Sequence, residues 1–125
     1  MQEKKQQMLT LHDNMIVTST LMTPKALEIN MTGHADYAEH GKDIVCAAVS
    51  SITEAVVNRM LRLYPEETNV ITKDGELHFR ITLPNALKEY DNVLELLTLF
   101  VDHMNDIATA YPDNVAKVIK NYEFE

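Results

Sequence analysis

The chain has a single cysteine, Cys46, and a histidine, His34, twelve positions before it. Both fall in one segment, GHADYAEHGKDIVCAAVSSI, from Gly33 to Ile52. A thiol and an imidazole are the parts of a nucleophile and its base. Asp43 stands where a helix N-cap is expected, which puts Cys46 at the third helical position. The free N–H groups and positive dipole end of a first turn favour a thiolate there. At about 100° per residue, Cys46 lies off the apolar stripe of Val45, Val49 and Ile52, and Ser50 falls one turn later on its side. The plainer alternative is a small buried thiol, the usual state of a lone cysteine. Spacing leaves both open.

The neighbouring residues also have two readings each. His34 follows Gly33 at the end of an expected strand, a rigid place to hold a base, yet a surface histidine fits the same spacing. The loop 35–42 must fold back to join His34 to Cys46, and Gly41 makes such a turn easier. Asp43 either caps the helix or orients the His34 ring, or does both with different oxygens. Ser50 donates to a substrate group or to the thiolate, or bonds back to the carbonyl four residues earlier. An oxyanion hole would draw on backbone N–H groups at the helix start, that of Cys46 included. His34, His40 and Cys46 are spaced six and six, without the tight pairs of zinc sites, so no metal is expected. No phosphate-cradling glycine pattern occurs, so no nucleotide cofactor is expected. His12, His78 and His103 show no partner pattern and read as surface or structural.

The elements that must position these residues are legible from periodicity. MIVTSTLM (15–22) is rich in β-branched residues and reads as a strand, with a turn at Thr23-Pro24. KALEINMTG alternates, placing Leu27, Ile29 and Met31 on one face. From Ile44 to about Leu61, Val45, Val49, Ile52, Val56 and Met60 recur at helical spacing. A second hairpin spans 68–84, turning at Asp74-Gly75. A second helix starts near Asn92, with Glu95 completing a capping-box-like pair, and carries the stripe Val93, Leu97, Phe100, Met104, Ile107 and Tyr111 to Pro112. Residues 115–123 read as a last strand. The expected fold is α+β in ββαββαβ order: one domain, a mostly antiparallel sheet, and two helices packed on one face. The domain runs from residue 15 to 125, and the polar residues 1–14 read as a disordered lead-in to it.

Composition narrows the classes of partner. The 125 residues carry a net charge of -8, which argues against a nucleic-acid binder. Hydrophobic residues make up 46%, which argues against disorder. No unbroken apolar run is long enough to span a membrane, and the N-terminus lacks the apolar core of a secretory signal. A cytoplasmic protein with a reduced thiol is expected.

At Gly33, His34, Asp43, Ile44, Val45, Cys46, Ala47 and Ser50 the sequence resembles the signature of the ribosomal-processing cysteine proteases called Prp. The likeness covers nearly the whole chain from about Met15, although its specificity resides in roughly twenty residues. It implies a homodimeric thiol protease that removes the N-terminal extension of large-subunit ribosomal protein twenty-seven in certain bacteria, a step in ribosome biogenesis. It implies Cys46 as nucleophile and His34 as base, with Gly33, Asp43 and Ser50 supporting, and a mobile loop between the pair that orders around substrate. The acidic surface would then help the enzyme meet a basic ribosomal protein. A non-catalytic, ribosome-associated peptide-binding module is the rival reading, and a thiol hydrolase of small esters is a third.

Overall fold

The computed structural model describes residues 15–39, 41–83 and 86–123. The extension expected over residues 1–14, with His12, lies outside the described residues, as does His40.

Two hairpins and a C-terminal strand build one five-stranded sheet. β1 (Val17–Met22) pairs antiparallel with β2 (Ala26–Thr32), and β3 (Thr68–Lys73) with β4 (Glu76–Thr82). β2 also pairs with β4, and β5 (Ile119–Tyr122) runs parallel to β1, giving the order β3-β4-β2-β1-β5. The first hairpin turns at Thr23, whose Oγ1 accepts from the Ala26 N–H at 3.0 Å. Alternation along the strands decides the faces. Leu27 lies opposite Ile81, and Ile29 opposite Phe79; all four are buried. The other face is polar: Arg80 donates to Glu28 at 2.7 Å, and His78 shares a 2.8 Å hydrogen bond with Asn30.

Helix α1 (Ile44–Leu63) follows β2, and α2 (Ala86–Ala110) follows β4. Their stripes meet each other and the apolar face of the sheet in one core. Val45, Val49, Val56 and Met60 come from α1; Val93, Phe100 and Met104 come from α2. Burying such side chains contributes roughly 1.5–3 kcal/mol each. The α1 helix is apolar enough by length and composition to cross a membrane, with a mean hydropathy of 1.4. Its buried stripe in this core and its outward Glu54, Asn58, Arg59 and Arg62 make it a core helix of a layered domain.

The second helix begins six residues before the expected Asn92. Ala86, Leu87, Lys88 and Glu89 are good helix formers, so nothing stops the helix at an internal capping-like pair. Asn92 is an exposed interior residue instead. Tyr111 falls just past the last turn, and Val115 forms a parallel bridge with Ile16 ahead of β5 proper.

Candidate active site

Asp43 organises the start of α1. Its backbone is extended, with φ -83° and ψ 100°, and its Oδ1 accepts from the Cys46 N–H at 2.8 Å. This is N-capping at the third helical N–H. Its Oδ2 accepts from the N–H of Tyr37 at 2.9 Å and of Ala38 at 3.4 Å. The loop, not the His34 ring, therefore takes the second oxygen. The reason is local: residues 37 and 38 fold over the helix start and present their N–H groups to the carboxylate. Burial pushes the Asp43 carboxyl up, but the N–H groups of Cys46, Tyr37, Ala38 and Val45 outweigh it. The net shift is below the ordinary value of 3.8.

The cap corrects one expectation. The Cys46 N–H is engaged by Asp43, and the Ala47 N–H by the Asp43 carbonyl at 3.0 Å. A cap spends the donors of the first turn on itself, so the Cys46 N–H is not free for an oxyanion.

His34 is delivered by β2. Gly33 adopts φ 97°, a left-handed conformation that suits glycine, and its N–H donates to the Gly75 carbonyl at 2.9 Å. The half-exposed His34 ring has Nε2 at 3.8 Å from Asp74 Oδ1. Among the described residues, no hydrogen bond joins the ring to Asp43 or to Cys46.

The loop between them is held from the far end of the chain. Ala35 is fully buried, and its carbonyl accepts from the Asn114 side-chain amide at 2.8 Å. The Tyr37 ring stands edge-on to Tyr111, with centroids 5.3 Å apart at 82°. Such an aromatic pair contributes about 0.5–1.5 kcal/mol beyond burial. Tyr37 thus braces the loop and does not wall the cavity below it.

That cavity, about 310 Å³, lies between His34, the loop and the first turns of α1. His34, Asp43, Cys46 and Ser50 all line it, with Ala35, Asp36, Ala38, Gly41 and Ala47. The free thiol of Cys46 is half-buried, and Ser50 is exposed. The Ser50 hydroxyl makes no hydrogen bond to another described residue, unlike Thr53, which bonds back to Val49 at 2.6 Å. Gly33 is not part of that lining; it carries the chain from β2 into His34. No group of three His, Cys, Asp or Glu side chains among the described residues is placed to hold a metal ion.

Two groups at this site were not visible in spacing: the Asp74-Gly75 turn and the Tyr111–Asn114 segment. The β2–β4 register was the available signal for the first, because Thr32 pairs with Glu76 and so brings the two strand ends together.

A thiol, an imidazole and an uncommitted hydroxyl facing one cleft, on an α+β sheet, define a site of the cysteine-hydrolase class. The comparisons are more specific. A sequence model of the family described as cysteine protease Prp matches residues 15–116. The ribosomal processing cysteine protease Prp of Staphylococcus aureus (strain Mu50) is 31% identical over 91 residues, which are 73% of this chain and 84% of that one. The Bacillus subtilis (strain 168) Prp is 40% identical over 62 residues, 49% of this chain and 54% of that one. A crystal structure of the essential S. aureus Prp with a covalently linked product peptide superposes with a TM-score of 0.69. It shares 26% identity and covers 87% of this chain and all of that one. The chain belongs to the Prp family of cysteine proteases.

Proposed function

We propose that this protein removes the N-terminal extension of a large-subunit ribosomal protein, number twenty-seven, by acyl transfer through Cys46. The carrying observation is the single cavity that His34, Cys46 and Ser50 share above a capped helix start. The covalently linked product peptide of the S. aureus relative fits a mechanism with an enzyme-bound acyl group.

His34 takes the Sγ proton as the thiolate attacks the scissile carbonyl carbon. The tetrahedral intermediate collapses, the C–N bond breaks, and imidazolium returns its proton to the leaving amine. His34 then takes a proton from water as the oxygen attacks the thioester. The C–S bond breaks, the peptide acid departs, and the proton returns to sulfur. The first-turn N–H groups of Cys46 and Ala47 serve the cap, so the Ser50 hydroxyl is our candidate donor to the transient oxyanion. The absence of a His34–Cys46 hydrogen bond supports a resting pair that tightens when substrate arrives. The enzyme works in the cytoplasm, where the ribosomal precursor is made, and as a homodimer.

Intact-mass analysis of the precursor, incubated with this protein and with Cys46→Ala, tests the reading. One N-terminal cut that vanishes in the variant is expected. An uncut precursor with a reduced, active-site-accessible thiol would favour the peptide-binding alternative.

A further inference from the structure

The Asp74-Gly75 turn reads in sequence as a hairpin signal and nothing more. The fold brings it to His34. The β2–β4 ladder ends with Thr32 opposite Glu76. One residue on, the Gly33 N–H donates to the Gly75 carbonyl at 2.9 Å, and the next residue is His34. The ring packs onto Gly75 so closely that a Cβ there would lie 2.8 Å from Nε2 and 3.4 Å from both Cδ2 and Cε1. Equal distances to the two flanking carbons mean that the Nε2 tip points at the turn. Asp74 Oδ1 lies 3.8 Å from the same nitrogen.

We propose that Asp74 and Gly75 are positioning residues that seat His34 with Nε2 toward the turn, leaving Nδ1 to exchange the proton with Cys46. This rests on the reading of His34 as the base. Gly75 supplies the space: its φ of 70° and its missing side chain let the ring lie against the backbone. Asp74 supplies the charge: a carboxylate on the Nε2 side favours the tautomer that carries its proton there, and it attracts the imidazolium formed when Nδ1 takes the thiol proton. The pair is exposed to water, so its effect is modest and falls with salt.

The test uses the full chain and a fluorogenic peptide spanning the cleavage site. Gly75→Asn keeps a residue that tolerates positive φ while adding the intruding Cβ. We expect kcat to fall tenfold or more with KM within twofold, and Cys46 alkylation by iodoacetamide to slow in parallel. A folded Gly75→Asn with wild-type kcat overturns the seat. Asp74→Asn sits on the surface and leaves folding intact. Its kcat is expected to fall about threefold at low salt, to converge with wild type at high salt, and to be rescued by Asp74→Glu. Should the glycine variant not fold, a salt-independent, wild-type kcat for Asp74→Asn overturns the proposal. ¹⁵N spectra of the wild-type neutral ring should show the Nε2–H tautomer; the Nδ1–H form overturns it as well. His34→Ala separates the two levels. Full activity in that variant removes the base reading itself, whereas its inactivity beside a fully active Gly75→Asn removes only the seat.

Discussion

The side-chain amide of Asn114 donates to the carbonyl of Ala35, 79 residues earlier, at 2.8 Å. The residue after His34 is therefore held by the connection between α2 and β5. Asn114 is itself fixed, because its carbonyl accepts from the Ile16 N–H at 3.0 Å.

Asn114→Ala leaves the buried Ala35 carbonyl without its partner, a loss of about 1–3 kcal/mol for a buried unpaired group. Amide exchange over residues 35–38 should speed up about tenfold or more, and peptide KM should rise. Asn114→Asp offers only acceptors and should not rescue. Unchanged exchange rates would show that the loop is held elsewhere.

Asp43→Ala removes the helix cap and both loop contacts at once. Capping losses are about 0.5–2 kcal/mol, and the loop adds to that. Asp43→Asn should still lose stability, since one amide oxygen cannot serve Cys46 and Tyr37 together, and its NH₂ would face an N–H. Urea denaturation of the three proteins gives the order: wild type, then Asn, then Ala.

The same carboxylate sets an acid limit. Its folded-state value lies below the ordinary 3.8, so the native state binds its proton less readily than the unfolded chain does. Its contribution is complete above the ordinary value and is lost as pH falls through the lower, folded one. The stability gap between wild type and Asp43→Asn should narrow below about pH 4 and stay constant from pH 5 to 7. A gap that widened on acidification would contradict this.

Thr18 is fully buried on the apolar face of β1, and its hydroxyl has no hydrogen-bond partner among the described residues. Valine has nearly the same shape and suits a strand. Thr18→Val should raise stability by about 1 kcal/mol without altering activity, a change that thermal unfolding resolves.

Much of the scaffold was legible because its signals are local. Asp43 as N-cap, the α1 stripe and the two hairpins follow from short windows of residues. The start of α2 was not, because Asn92 and Glu95 imitate a cap inside a stretch that is already helical. Of the site, the cavity-lining group His34, Asp43, Cys46 and Ser50 lies within seventeen residues and stood out for that reason. The use of Asp43's second oxygen was hidden, since it depends on how the loop folds over the helix. Asp74, Gly75 and Asn114 were hidden more deeply, since strand register and chain return bring them in from distant sequence.

The parallel pairing of β5 with β1, Ser19 beside Ile119, also bears on how the protein is born. Synthesis is vectorial, and this contact closes only after Ile119–Tyr122 have left the exit tunnel. Asn114 and Tyr111 arrive at the same late stage. A nascent chain already carrying His34 and Cys46 still lacks the clamp on the loop between them. The loop between the two residues therefore gains its clamp only after Asn114 has emerged, long after both of them have been made.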